Sequence, residues 1–83
     1  MVTLENDEIE LLKILGARLK AARKARRETQ AIFGERLGIT RQTYSKMEHG
    51  DPSIDVGYWI RASALIDRLS EWHYVLKDQS VCA

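Results

Sequence analysis

The chain has 83 residues, 45% of them hydrophobic and 30% charged, and its 13 Lys or Arg against 12 Asp or Glu give a formal net charge of +1. This length allows one small domain with one modest core. No apolar run approaches the roughly 18 residues that a membrane span needs, and the start MVTLENDEIE carries four acids where an export signal would be basic. We therefore expect a single cytoplasmic domain over residues 1–83 without membrane contact.

The nearly neutral net charge hides a strongly basic middle. Residues 1–17 carry one Lys and four acids, which gives −3, and residues 47–83 carry three Lys or Arg against six acids, which again gives −3. Residues 18–46 carry nine Lys or Arg against two acids, which gives +7. Basic runs are often only solvated helix faces, so the meaning of this segment depends on where its charges lie in the fold.

The first predicted helix begins near Asn6 or Asp7, either of which could cap it, with further acids close to its positive N-terminal end. Apolar residues three and four positions apart predict one inward stripe, as a period of 3.6 residues requires. The stripe consists of Leu12, Leu15, Leu19 and Ala22. Arg23 lies beside it, one turn after Leu19.

Two short helices follow around a glycine turn. Thr29 is the predicted cap of the second helix, Gly38 supplies a left-handed residue at its end, and Thr40 is the predicted cap of the third. In the third helix, Tyr44 and Met47 share one face, which we expect to enter the core. The opposite face carries short and polar side chains: Gln42, Lys46 and His49, flanked by Ser45.

The remainder of the chain predicts two more helices. Ser53 or Asp55 could cap a fourth helix after the break at Pro52. Its apolar residues are Tyr58, Trp59, Ala62, Leu65 and Ile66, and a fifth helix over 67–77 adds Leu69, Trp72, Val75 and Leu76. No alternating strand pattern occurs, so the predicted class is all-α with five helices.

Thr29 to Gly50, TQAIFGERLGITRQTYSKMEHG, resembles the helix-turn-helix of the XRE, or lambda-repressor-like, transcriptional regulators. The resemblance covers Leu15 to about Arg61 and rests on the Thr-Gln start, the Gly38-Ile39 turn and the Glu48-x-Gly50 end. The family usually has Leu-Ala at the centre of its second helix, where this chain has Phe33-Gly34. We expect Gly34 to allow a close approach of the third helix.

The resemblance implies a compact lambda-repressor-like DNA-binding domain whose motif spans residues 29–49 and whose third helix enters the major groove. Arginine can bond guanine and glutamine can bond adenine through two atoms, which suits short helical side chains for reading base edges. The implied DNA-binding residues are Gln30, Thr40, Arg41, Gln42, Thr43, Ser45 and Lys46. Many members also pair the Glu of the third helix with an Arg of the first, which here implies an Arg23–Glu48 ion pair.

The segment MEHGDPSIDVGYWIRA resembles the HipB-like antitoxins, in which Glu-x-Gly-Asp-Pro precedes a fourth helix bearing a glycine, here Gly57. That resemblance implies a homodimer that represses its own operon and a HipA-like kinase toxin as partner. Ala64-Leu65-Ile66-Asp67 departs from the family's Ala-Leu-Gly, so the fourth helix could run on or the dimer could differ. Phage-type repressors, restriction-modification controllers and a protein-interaction adaptor without DNA binding are the alternatives.

Catalysis is not expected, because the chain has no HExxH, CxxC, serine-centred elbow or phosphate-binding glycine loop. No metal site or cofactor is predicted either. Cys82 is the only cysteine, so it cannot form a disulfide within the chain. The apolar side chains of the last two helices exceed what five short helices readily bury, which predicts dimerisation through residues 67–77.

Overall fold

The computed structural model describes residues 3–78, so Cys82 lies outside the described residues. Four α-helices are followed by one 3₁₀ helix, and no strand occurs among the described residues. The elements are α1 (Asn6–Ala25), α2 (Gln30–Leu37), α3 (Arg41–Glu48), α4 (Val56–Leu65) and the 3₁₀ helix (Leu69–Tyr74). The all-α five-helix class predicted from the sequence is confirmed. None of these helices is long and apolar enough to cross a membrane.

The N-cap of α1 lies one residue before Asn6 and two before Asp7, the two predicted caps. Glu5 is the N-cap, and its backbone N–H donates to the carboxylate of Glu8 at 2.8 Å. A glutamate at the third helical position is the usual partner in this exchange. Asn6 and Asp7 therefore lie inside the first turn, where the charge of Asp7 still faces the positive end of the helix.

The predicted signals around the glycine turn are all present. The side chain of Thr29 accepts the N–H of Ile32 at 3.2 Å, and that of Thr40 accepts the N–H of Thr43 at 3.1 Å. Gly38 has a φ of 76°, in the left-handed region that favours glycine. Local signals therefore set the start of α2, its end at Gly38 and the start of α3.

The core forms where α1, α2, α3 and α4 meet. Phe33, Tyr44 and Met47 are fully buried, and the rings of Phe33 and Tyr44 pack edge to face with centroids 5.7 Å apart. Such aromatic pairs add to the stabilisation from burial itself. The remaining core residues are Leu19, Leu37 and Ala62. Of the predicted α1 stripe, Leu19 is buried and the other three members are half-buried.

Two glycines allow a close backbone approach, one in α1 and one at the predicted position in α2. A Cβ on Gly16 would contact the carbonyl oxygen of Glu48 and lie 2.7 Å from that of Met47, so α1 and α3 touch there. A Cβ on Gly34 would instead meet the carbonyl oxygens of Ile39 and Thr40, at 3.0 and 3.2 Å. Gly34 therefore allows a close approach of the turn and of Thr40, the N-cap of α3, at the predicted position.

Helix α4 does not run on, although the chain lacks the Gly of the Ala-Leu-Gly that it was compared with. It ends at Leu65, and Asp67 adopts a φ of 60°. The N–H of Asp67 donates to the carbonyl of Ala64 at 3.2 Å, and the N–H of Arg68 to that of Ser63 at 2.8 Å. These two bonds define a Schellman ending, and Asp is among the few residues that tolerate its left-handed position.

The predicted fifth α-helix over 67–77 is a 3₁₀ helix of six residues, Leu69–Tyr74. A hydrogen bond joins it to α4: the Trp72 indole N–H donates to the Ser63 hydroxyl, which in turn donates to the carbonyl of Trp59, both at 2.7 Å. None of its residues is buried. The left-handed turn at Asp67 separates it from α4.

Candidate nucleic-acid interface

Helix α3 has one face in the core and one in solvent. Tyr44 and Met47 are both 0% exposed and fix the helix on the domain. Gln42 and Lys46 are exposed, and within residues 3–78 neither side chain makes a hydrogen bond. Ser45 lies between the two faces and is half-buried. Three polar side chains are therefore held on a fixed helix with their polar atoms directed away from the core or along its edge.

The start of α3 is tied together by threonines. Besides accepting the N–H of Thr43, the hydroxyl of Thr40 lies 3.0 Å from the hydroxyl of Thr43. Thr40 is exposed and Thr43 half-buried. Both residues were predicted to contact DNA, and the structure places them side by side in the first turn with a structural role as well.

Gln30, at the start of α2, bridges the two helices of the motif. Its amide nitrogen donates to Oε1 of Glu48 at 2.9 Å, and its amide oxygen accepts from the Arg41 guanidinium at the long distance of 3.5 Å. The structure thus brings Gln30, Arg41 and Glu48 together. Because one end of Gln30 is bonded to Glu48, its position relative to α3 is set before any ligand binds.

Arg23 and Glu48 form a buried ion pair. Nε of Arg23 lies 2.7 Å from Oε2 of Glu48 and Nη2 lies 3.2 Å from Oε1, and the side chains are 9% and 1% exposed. The other terminal nitrogen of Arg23, Nη1, donates to the backbone carbonyl of Glu28 at 2.7 Å. The planar guanidinium suits this two-point contact with a carboxylate. The pair joins the end of α1 to the end of α3, across 25 positions of sequence.

The protonation equilibria of this pair follow from its contacts. Burial acts to raise the pKa of the Glu48 carboxyl, but hydrogen bonds from Arg23 and Gln30 outweigh it and leave the pKa below its usual value. The hydrogen bond to Glu48 raises the pKa of Arg23, against the opposite effect of burial. Both groups are therefore charged at neutral pH.

The hydroxyl of Tyr44 is buried beside this pair and has no hydrogen-bonding partner among the described residues. Burial is the main reason that the pKa of the phenol is raised well above its usual value. The nearby Glu48 carboxylate acts in the same direction. The phenol stays neutral, so Tyr44 contributes to the fold through its ring rather than through charge.

Three of the nine Lys and Arg residues in the basic segment, residues 18–46, form ion pairs. Arg23 is paired with Glu48, Arg26 with Asp67, and Arg36 with Glu28. Among the described residues, the cations of the basic segment outside ion pairs are Arg18, Lys20, Lys24, Arg27, Arg41 and Lys46. The positive charge that remains lies on α1, on the loop after it and on α3.

Sequence reasoning missed Glu28. Its carbonyl accepts from Arg23, and its carboxylate pairs with Arg36 of α2 at 2.6 Å. The residue precedes the Thr29 cap, so an acid directly before a helix start was the available signal. His49, beside the same end of α3, has Nδ1 2.8 Å from the carbonyl oxygen of Ser45, which requires the proton on Nδ1.

No group of three or more His, Cys, Asp or Glu residues within residues 3–78 is arranged to hold a metal ion.

The family model described as Helix-turn-helix domain matches residues 14–68, about two thirds of the chain. The match contains α2, α3 and α4 and stops immediately before the 3₁₀ helix. No curated protein and no solved structure matches the chain significantly.

Proposed function

The chain belongs to the helix-turn-helix domain family and is XRE-like, which indicates a DNA-binding transcriptional regulator, and from that membership we propose a more specific role. The protein is a sequence-specific repressor that binds double-stranded operator DNA as a homodimer. Helix α3 lies in the major groove and reads base edges there.

The observation that carries this proposal is the outward face of α3. Arg41, Gln42 and Lys46 are exposed on a helix whose inner face is fully buried. Arginine and glutamine can each make two bonds to one base, to guanine and adenine respectively. A helix held by its own core side chains presents these groups on a backbone that is already ordered, so the backbone loses little conformational entropy when the side chains meet DNA.

Other predicted residues of the motif have positions that suit the DNA backbone. Gln30, Thr40 and Thr43 lie at the starts of α2 and α3, where backbone N–H groups and the helix dipole favour phosphate. Ser45 can contact either base or backbone from the edge of α3. The unpaired cations of α1 and its following loop supply attraction that does not depend on sequence.

We further propose that the repressor acts on its own operon as a HipB-like antitoxin with a HipA-like kinase toxin as its partner. Support comes from the resemblance of the Glu48-x-Gly50-Asp51-Pro52 segment and of Gly57 in α4. Dimerisation is supported by apolar side chains exposed after α4, including Leu69, Val75 and Leu76. A monomer would also have too few base contacts for tight operator binding.

Binding titrations with DNA from upstream of the protein's own gene and with scrambled DNA test the readout. Gln42→Ala should weaken binding to the operator by about 1–3 kcal/mol and hardly affect scrambled DNA. Lys24→Ala is the matched control, because a residue that only neutralises phosphate should weaken binding to both DNAs alike and flatten the salt dependence by about one unit. Equal losses for Gln42→Ala on the two DNAs would refute the assignment of α3. A chain that showed only salt-dependent binding and no preferred sequence would be an adaptor with an incidental basic face.

A further inference from the structure

His49 lies on the face of α3 that is directed away from the core. Successive residues of a helix are rotated by about 100°, so positions 42, 46 and 49 share one side. Tyr44 and Met47 point the other way and are 0% exposed, whereas His49 is exposed. His49 therefore belongs to the same surface as Gln42 and Lys46, although it is not among the DNA-binding residues that the family resemblance implied.

The end of α3 holds the ring of His49 in one orientation. Nδ1 lies 2.8 Å from the carbonyl oxygen of Ser45, which also accepts the backbone N–H of His49 at 3.2 Å. Because a carbonyl oxygen only accepts, Nδ1 carries a proton. It carries that proton in the neutral ring and in the charged ring alike, so this bond is kept when the ring changes its charge.

The other ring nitrogen, Nε2, differs between the two states. Within residues 3–78 it makes no hydrogen bond. In the neutral ring with its proton on Nδ1, Nε2 has a lone pair and can only accept, and so it cannot bond to a phosphate oxygen, which is also an acceptor. In the charged ring Nε2 becomes a donor. A phosphate contact by His49 therefore requires protonation of the ring.

The chain turns away from the surface of α3 directly after His49. Gly50 has a φ of 78°, and the N–H of Asp51 donates to the carbonyl of Lys46 at 3.0 Å, as in a Schellman ending. A Cβ on Gly50 would lie 2.8–2.9 Å from backbone atoms of residues 12–13, so the chain passes against α1 there. His49 is thus the last residue on the outward face of α3.

Charged side chains around this end of α3 come from α3, the following loop and α1. They are Lys46, Asp51 and, one turn before and after the contact of Gly16 with α3, Lys13 and Lys20. Glu48 is neutralised by Arg23, and α2 reaches this end through the uncharged Gln30. Positive charge predominates here, and the negative end of the helix dipole also favours a cation at the last residue.

We propose that His49 contacts a DNA phosphate through its protonated Nε2, so that affinity for DNA increases as the ring becomes charged. The inference rests on the proposed DNA binding by α3. The first turns of a recognition helix reach the base edges, and His49 lies eight positions, about 12 Å, beyond Arg41. We therefore assign its contact to the DNA backbone, which carries no sequence information.

Binding titrations between pH 5.5 and 7.5 on operator and scrambled DNA test this contact. Histidine is the side chain that ordinarily changes its charge in this range, and the chain has two, His49 and His73. We expect affinity for both DNAs to be about three- to tenfold higher at pH 5.5, with a salt dependence steeper by about one unit. His73→Gln is the matched control, because His73 lies on the 3₁₀ helix, and it should behave like the unmodified chain.

Two substitutions separate the charge of His49 from its place in the structure. His49→Gln has an amide that can donate at every pH, so its binding should not depend on pH. His49→Lys has a permanent charge and should bind both DNAs more tightly than the unmodified chain at pH 7.5. In the unmodified chain, the ring protons of His49, followed by NMR, should titrate at a higher pH in the DNA complex than in the free protein.

Binding by the unmodified chain that does not change with pH would overturn the proposal, and so would a pH dependence that His49→Gln retains or that His73→Gln loses. A dependence seen only on the operator, or affinity that falls with acid, would assign Nε2 to a base instead. Preferential operator binding that Gln42→Ala abolishes and pH leaves unchanged would refute this contact alone. Absence of DNA binding at every pH would refute the proposed function as well.

Discussion

The helix-turn-helix region and the region after α4 are built in opposite ways. Phe33, Tyr44 and Met47 have no solvent exposure, whereas Tyr74 and Leu76 are 71% and 98% exposed. Burial of large apolar side chains is the main favourable term in folding. The buried large side chains are thus concentrated under α3. The C-terminal region leaves large apolar side chains exposed.

The ion pairs show the same difference. Arg23 and Glu48 are almost completely buried, whereas Arg68 and Glu71 are each about two thirds exposed. Exposed pairs contribute little because water screens them, while removal of one partner from a buried pair leaves a charge without compensation. The same chemical contact therefore has a structural role in one region and a minor one in the other.

The largest predicted difference comes from truncating one apolar side chain in each region. Phe33→Ala should lower the free energy of unfolding by about 3–5 kcal/mol, because it removes a fully buried ring and leaves a cavity. Leu76→Ala should change it by less than about 0.5 kcal/mol. Urea unfolding of both variants under conditions where the chain is monomeric measures the contrast. Similar midpoints for the two variants would contradict it.

Removal of an acid from each ion pair is the second test. Glu48→Ala should destabilise the fold by about 3 kcal/mol, since Arg23 would remain buried without its counter-ion. Glu71→Ala is the control and should shift stability by less than about 0.5 kcal/mol. Thermal or urea unfolding measures both. An unchanged midpoint for Glu48→Ala would place Arg23 in solvent.

Lowering the pH should also reduce the stability of the fold through Glu48, by less than Glu48→Ala does. The pKa of Glu48 is lower in the folded state, because the hydrogen bonds from Arg23 and Gln30 outweigh the effect of burial. The stability that the pair contributes is therefore complete above the ordinary carboxyl pKa of about 4.3 and is lost as pH falls through the lower folded value. Urea midpoints between pH 7 and pH 3 should fall less steeply for Glu48→Gln than for the unmodified chain. Parallel curves would show that Glu48 does not titrate differently in the two states.

The smallest predicted effects come from replacing glycine by alanine at two positions, and the two changes in stability have opposite signs. Gly16→Ala should destabilise by about 1–3 kcal/mol, because its Cβ would press on the backbone of α3. Gly57→Ala should stabilise by about 0.5–1 kcal/mol, since nothing lies within 4 Å of its Cβ and alanine favours a helix. Chemical unfolding measures both changes. Destabilisation by Gly57→Ala would show that α4 has a close neighbour at this glycine.

Much of the fold could be predicted from short-range signals. Thr29 and Thr40 cap α2 and α3, and Gly38 takes the left-handed conformation, because each of these features depends on a few adjacent residues. The Tyr44 and Met47 face of α3 follows from the helical period. The predicted N-cap of α1 was one or two residues late. Glu5 takes this position, and its backbone N–H donates to the carboxylate of Glu8.

For the candidate site, the helical period indicated the polar face of α3, and the resemblance indicated its DNA-binding role and the Arg23–Glu48 contact. The contacts of Gln30 with both Glu48 and Arg41, and of Glu28 with both Arg23 and Arg36, could not be derived. Each depends on the relative placement of two or three helices.

By itself the sequence determined the helical class, the turn chemistry and the polar face of α3, since these arise from interactions within about one helical turn. Only the tertiary structure decided that α1 touches α3 at Gly16, that Asp67 ends α4, and that residues 69–74 form a 3₁₀ helix rather than part of a fifth α-helix. The physical reason is that packing joins residues far apart in sequence, and local preferences do not specify which faces meet.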